Sequence, residues 1–326
     1  TSHPLVLNSH LEDPPYFDQV KEPLNPEIER THAFSPRCIW ELKDTMFNPR
    51  SGSMAWDRAI IGDGLTNGSL GRTRFAGLGI LREKQDAGLW FPVGHQPWNY
   101  YHWLLEDFPA VIRARSFRPE VRVALSPRPP AFVRESLHAL GAPYSIKRQP
   151  TRFSRVVLPG RGVDPGWPHR KDVALIRNFA SRFTPRSSTR KTFVSRASST
   201  RSFLGEAQME EFARGEGFDV LEAERLSFQD QIQQFASSNV VVGTHGAGLS
   251  NIVFCHEGTL VIEIASPTRA DPCFENLART VGLRYRRVLV GPGSLRDQAV
   301  IFPRDIEVVR EILYSNAVSR EEDGDH

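Results

Sequence analysis

Three groups of residues in this chain have types and spacings suited to chemistry. The first is Val240-Val241-Val242-Gly243-Thr244-His245-Gly246-Ala247-Gly248-Leu249-Ser250-Asn251, in which a strand-like apolar run meets a histidine and two close glycines before an apolar helical run. Where a buried strand gives way to a helix, the first helical N–H groups have no partner within the helix. The dipole is positive at that end, and a phosphate is well accommodated there. Gly246 and Gly248 let the main chain approach such a group with no Cβ in between. The alternative is an ordinary strand-to-helix turn of an α/β domain, which leaves His245 without a use. No Gly-Lys-Ser/Thr follows, so this is not a Walker loop, and the spacing is not Gly-x-Gly-x-x-Gly.

The second group is Asn99-Tyr100-Tyr101-His102-Trp103-Leu104-Leu105-Glu106-Asp107-Phe108-Pro109. On a helix, His102 and Glu106 are four apart and share a face, so an imidazole and a carboxylate lie side by side. Such a pair suits a general base near neutral pH, because the acid fixes the tautomer and stabilises the charged ring. A capping or core histidine between aromatics is the competing use. In the third group, Ser195-Arg196 follows an apolar run, with Arg201 and Glu206 close behind. Two guanidinium forks there suit a diphosphate, or pair with surface acids. Glu263, embedded in Leu260-Val261-Ile262-Glu263-Ile264, must find partners; ribose hydroxyls and an internal arginine are the two candidates. The only Asp-x-Asp is Asp323-Gly324-Asp325 in the polar C-terminal stretch, and neither Gly-x-Ser-x-Gly nor His-Glu-x-x-His occurs.

The elements that must position these groups follow from periodicity. Residues 1 to 50 are rich in Pro, Asn and charge and read as an extended or loop-heavy entry, and Ala59 to Ile80 suggest short strands and turns. Tyr101, Leu104, Leu105, Phe108, Val111 and Ile112 recur at helical spacing, with Pro109 set to kink or restart that helix. A strand at Val121–Leu125, a helix at Ala131–Leu140 closed by Gly141 and a strand at Ser154–Leu158 come next. The turn formers between Pro159 and Pro168 mark a domain boundary. Beyond it, helices at Lys171–Phe183, Leu204–Arg214, Phe228–Ser237, Ala247–Phe254 and Phe274–Val281 alternate with strands at Lys191–Ser195, Phe218–Leu221, Val240–Gly243, Thr259–Ile264 and Tyr285–Val290. That alternation predicts a parallel sheet covered on both faces. Ser227 and Asp230 form a capping pair for one of its helices. Ligands of such sheets bind outside the carboxyl ends of the strands, where the His245 turn and Ser195 fall.

With 326 residues, the chain is long enough for about two domains, each with its own core, and a cleft between them is expected. The formal net charge is +3, and of the 41 basic residues only 6 are lysine; the arginines are scattered among acids rather than clustered as in a nucleic-acid binder. Genomic base composition accounts for the arginine bias as well as function does. Cys38, Cys255 and Cys273 have neither the spacing nor the company for a disulfide framework or a structural zinc site. No apolar run approaches the ~20 residues that span a bilayer.

The Asn99–Pro109 block, Val194-Ser195-Arg196 with Arg201 and Glu206, the His245-Gly246-Ala247-Gly248-Leu249-Ser250-Asn251 block and Val261-Ile262-Glu263-Ile264 together resemble the glycosyltransferase 61 family. That family includes plant xylosyl- and arabinosyltransferases, animal N-acetylglucosaminyltransferases and bacterial capsule-type proteins, and the resemblance runs from about residue 90 to about residue 290. It implies an α/β fold of the GT-B type, two facing Rossmann-like domains with an interdomain cleft. Residues 1–160 would form an acceptor-side domain, 161–300 a nucleotide-sugar-binding domain, and 301–326 a helix returning to the first domain plus a frayed tail. The implied reaction is inverting sugar transfer from a UDP-sugar to a glycan or lipid-linked glycan hydroxyl, with no cofactor and no required metal. Arg196, Arg201, His245, Gly246, Ala247 and Gly248 would surround the diphosphate, Ser195, Leu249 and Asn251 would complete the donor set, and Glu263 would lie near the ribose. Glu106 or His102 would be the base, with Asp107 in reserve. The compact size and arginine-rich composition, set against the lumenal features of animal members, lead to the expectation of a bacterial enzyme of surface or capsular glycan synthesis. It would be cytoplasmic, working peripherally at the inner face of the membrane, without nucleic-acid partners. An inactive nucleotide- or glycan-binding protein of the same fold is the competing reading, and a hydrolase lacks a positioned nucleophile.

Overall fold

Short β-branched runs alternating with amphipathic ones build two α/β units, Thr1–Phe179 and Ala180–His326. The computed structural model describes residues 6–13, 16–21, 29–34, 37–50, 52–56, 59–60, 84–94, 98–160, 167–184, 189–197, 203–269, 271–292 and 299–322. Arg201, Asp323, Asp325 and most of the strands and turns expected between Ala59 and Ile80 lie outside these residues. No described helix is long and apolar enough to cross a membrane.

In the first unit, four strands lie parallel in the order Thr151–Pro159, Lys84–Pro92, Arg122–Leu125 and Tyr144–Ile146. Arg37–Asn48 joins antiparallel to Thr151–Pro159, and Val6–Asp13 and Ser53–Trp56 pair in turn with it. Much of the entry segment is therefore strand rather than loop. Antiparallel ladders draw on main-chain groups, and they form here without the clean apolar alternation by which strands are recognised. Trp90, Phe153 and Phe47 stack in series, at 5.2 and 6.2 Å between ring centres, to fill the core of this sheet. The helix Ala131–Leu140 ends at Gly141, whose φ of +67° is a left-handed cap that glycine adopts without a Cβ penalty.

In the second unit the five strands of the main sheet are all parallel, and Gly291–Pro292 pairs antiparallel with Ala299–Val300 apart from it. The spatial order is Asp219–Leu221, Arg190–Val194, Ser238–Thr244, Leu260–Ala265, Arg284–Leu289, which in sequence numbering is 2-1-3-4-5. This doubly wound order changes direction between Arg190–Val194 and Ser238–Thr244, and ligands of such sheets bind beyond the strand ends at that point. The helices Glu206–Gly215, Phe228–Ala236 and Cys273–Val281 occupy the expected connections. Ser227 caps the second of them by accepting from the Asp230 N–H at 3.1 Å. Phe193, Val242, Ile262 and Ile264 form a buried cluster that also takes in Val309 of the terminal helix Pro303–Glu322.

Candidate active site

The His245 turn is assembled by the sheet. Gly243 pairs with Glu263 and Thr244 with Ile264 across parallel strands, and the His245 N–H extends the ladder to the Ile264 carbonyl at 2.8 Å. This register brings the His245 ring beside the Glu263 carboxylate, with Nδ1 2.5 Å from Oε1. The Glu263 side chain is 0% exposed and that of His245 21%. Its other oxygen, Oε2, accepts from the Tyr285 hydroxyl and from Arg287 Nε, the latter at 3.0 Å. Burial alone would raise the Glu263 pKa. The His245 hydrogen bond and charge, the Tyr285 hydroxyl and the Arg287 charge outweigh it and hold the carboxyl below its ordinary value. Burial, then the Glu263 charge, push the Tyr285 hydroxyl up, so it stays a donor. An ionised Glu263 must receive the Nδ1 proton of His245, which leaves Nε2, on the far side of the ring, for a ligand. Phe274 packs edge-on against that ring, 5.2 Å away.

Arg196 lies over the turn. Its Nη1 donates to the His245 carbonyl, and a Cβ built on Gly246 would come within 2.7 Å of its guanidinium carbon. Gly246 thus leaves the room that Arg196 occupies, and a side chain there would displace the guanidinium; the Gly246 backbone is extended, with φ 171°. Gly243 and Gly248 serve packing in the same way, since Cβ atoms there would stand 3.0 and 3.1 Å from the Val194 side chain. The following segment, Ala247–Phe254, is a 3₁₀ helix. Leu249 is buried beneath it, and Asn251 Nδ2 donates to Gln231 Oε1 at 2.8 Å and to the Gly248 carbonyl at 3.1 Å. Ser195 Oγ donates to Glu210 Oε1 and accepts from the Ala197 N–H, which turns the chain after its strand. Glu206 clasps the adjoining loop. Its buried carboxylate accepts from the N–H groups of Arg196 and Phe203 and from the Thr244 hydroxyl. Burial is the largest influence on its pKa, which is raised despite those bonds.

In the first unit, His102 and Glu106 also form a pair, with Nδ1 3.0 Å from Oε1 and side-chain exposures of 21% and 5%. The supporting helix is interrupted. Tyr100–His102 is α-helical, Trp103–Asp107 is a π-helical turn closed by the Phe108 N–H to the Trp103 carbonyl, and Phe108–Phe117 is α-helical again. Pro109 explains the change, because it has no N–H for the Leu105 carbonyl and its ring would strike that carbonyl in a regular helix. Turns of this type recur at functional sites. Asn99 caps the start through Oδ1, which accepts the Tyr101 N–H at 2.9 Å. Trp103 Nε1 donates to Ser136 Oγ at 2.9 Å, and Asp107 is buried within the turn.

Of the residues singled out by sequence, the structure brings Ser195, Arg196, His245, Gly246, Ala247, Gly248, Leu249, Asn251 and Glu263 together at the end of the second sheet. It places His102, Glu106 and Asp107 on one short helical segment of the first unit. Tyr285 and Arg287 were missed. Their signal is a Tyr-x-Arg at strand spacing in the run that follows the Glu263 strand.

A doubly wound sheet with a glycine-rich turn and a carboxylate-held histidine at its switch point defines an α/β protein of Rossmann-like type. The model of the glycosyltransferase 61 family matches residues 100–262, half of the chain, and the protein belongs to that family. Among curated relatives, the chain is 28% identical over 125 residues to an EGF domain-specific O-linked N-acetylglucosamine transferase of Drosophila melanogaster, covering 37% of this chain and 22% of that protein. It is 34% identical over 90 residues to a beta-1,2-xylosyltransferase of Arabidopsis thaliana, covering 28% and 16%. It is 31% identical over 153 residues to the alpha-1,3-arabinosyltransferase XAT2 of Oryza sativa subsp. japonica, covering 43% and 25%. The matches thus span a quarter or less of these relatives' length.

Proposed function

We propose that the protein is an inverting glycosyltransferase that moves a sugar from a UDP-sugar to a glycan hydroxyl and requires no metal. The GT-B arrangement, with a cleft between the two units, is part of this proposal and rests on family membership. The observation that carries the reading is the His245–Glu263 pair at the switch point, beside an arginine laid over Gly246. In the reaction, the acceptor oxygen attacks the anomeric carbon on the face opposite UDP. The bond to the diphosphate breaks, its electron pair passes to the departing oxygen, and the acceptor proton passes to a base. Arg196 and the first N–H groups after Gly246 offset the charge gathering on the diphosphate, and His245, held at Nδ1 by Glu263, joins them through Nε2–H when its ring is an imidazolium. On the acceptor side, Glu106 holds His102 Nδ1 and leaves Nε2 as the base. Asp107 remains the reserve candidate.

The acceptor we propose is a glycan or lipid-linked glycan of a surface or capsular polysaccharide, used at the inner face of the cytoplasmic membrane; family resemblance alone supports this part. The test is a transfer and thermal-shift screen across UDP-GlcNAc, UDP-xylose, UDP-arabinose and UDP-glucose, with and without EDTA. One donor should stabilise the protein and be turned over regardless of chelator, with the product anomer opposite to the donor. His245→Ala and Arg196→Ala should abolish transfer while the protein stays folded. Full activity in both variants would show the assigned donor site to be wrong.

A further inference from the structure

Glu263 is completely buried, so it reaches any ligand only through His245. Its two oxygens are divided: Oε1 serves the imidazole, and Oε2 serves Tyr285 and Arg287. The division is built into the sheet, since Glu263 and Arg287 are direct partners across parallel strands and Tyr285 lies two residues before Arg287 on the same face. Arg287 Nε also donates to the Tyr285 oxygen at 3.0 Å, which ties the two donors into one unit. The far end of Arg287 is anchored as well. Nη2 donates to the Asp271 carbonyl at 3.1 Å, and Nη1 lies 4.0 Å from Glu275 Oε2. Asp271, just before the next helix, accepts the Cys273 N–H at 2.9 Å, and Phe274 of that helix packs on the His245 ring. The imidazole is therefore gripped twice by one circuit, at Nδ1 through Glu263 and on its face through Phe274.

We propose that Tyr285 and Arg287 are positioning residues that act through Glu263 to keep a proton on Nδ1 of His245 and to fix the plane of its ring, so that Nε2, a donor once the ring is an imidazolium, is aimed at the donor diphosphate. Two donors on Oε2 fix the rotation of the carboxylate and keep it charged. A fixed, charged Oε1 then dictates which ring nitrogen carries the proton. Without them the carboxylate is free to rotate, and the neutral ring samples both tautomers. The relay rests on the donor-site reading of His245 for its functional consequence, but its structural claim can be read independently.

The experiment uses the full chain labelled with ¹⁵N on histidine, with the His245 ring signals assigned by their loss in His245→Gln. In the wild type, neutral His245 should carry its proton on Nδ1. In Tyr285→Phe, a near-isosteric change, and in Arg287→Lys, the Nδ1–H fraction should fall. Partners that orient a metal-ligating histidine are worth about 10-fold to 100-fold; His245 is held in the same way without a metal, and kcat with the best UDP-sugar should drop by that order while KM for the acceptor holds. An unchanged His245 tautomer in both variants overturns the relay. A shifted tautomer with unchanged UDP affinity and transfer supports the relay and overturns the role of His245 at the donor.

Discussion

Replacing Glu263 with Gln tests the charge at the centre of the proposed donor site. A glutamine keeps the shape, but its NH₂ cannot accept, so either His245 or the Tyr285–Arg287 pair loses its acceptor. Arg287, whose side chain is 9% exposed, also loses its main counter-charge. Removing one partner of a buried ion pair costs about 3–5 kcal/mol. For a unit of this size that is a fall in Tm of about 6–20 °C. The pH dependence gives a second, signed signature. The folded pKa of Glu263 lies below its ordinary 4.5, so its contribution to stability is complete above that value and is lost as pH falls through the lower folded value. Thermal unfolding followed by circular dichroism from pH 7 to pH 3 should therefore show a wide gap between wild type and Glu263→Gln at neutral pH that narrows in acid. A gap under about 1 kcal/mol at pH 7, or one that does not narrow in acid, would refute the reasoning.

Gly246→Ala places a methyl group against the Arg196 guanidinium and should weaken UDP binding about 10-fold, one charge-assisted hydrogen bond, with the fold intact; calorimetric titration with UDP decides. Glu106→Gln removes the carboxylate that holds the His102 base and should lower kcat about 100-fold, the low end of what general-base catalysis contributes, and leave UDP affinity unchanged; equal loss in both would make Glu106 a structural residue. Asn251→Ala leaves the buried Gln231 side chain without its donor and should cost about 1–3 kcal/mol of stability, measured as a shift in the urea midpoint with an unchanged slope.

Much of this architecture can be read from local pattern. The five strands and intervening helices of the second unit follow from apolar runs of strand length separated by amphipathic ones, and Gly141 and Ser227 mark helix ends by their residue types. The entry strands were harder to read, because edge pairing depends on a partner far along the chain: Arg37–Asn48 meets Thr151–Pro159 more than a hundred residues away. The same limit hid Arg287. For Glu263, the sequence left ribose and an internal arginine as rivals, and only the register of two strands reveals the arginine. Nor does periodicity separate a 3₁₀ segment from an α-helix over eight residues, as at Ala247–Phe254. Pro109 did announce an irregularity, but not that the chain would absorb it by widening one turn.

That widened turn has a consequence for how this protein tolerates insertions and deletions. Trp103–Asp107 closes one turn with a residue more than an α-helix needs. Each residue advances a helix by about 100°, so the extra one sets the angle between the Tyr100–His102 segment and the Phe108–Phe117 segment. A single-residue deletion in this turn would let a regular helix run through, apart from the proline. It would also swing His102 about a quarter-turn around the axis relative to buried Phe108 and Val111. Trp103, Leu104 and Leu105 of the turn are buried, so such a deletion would disturb the core and the histidine's aim together. Length in this stretch is thus fixed by direction as well as by packing.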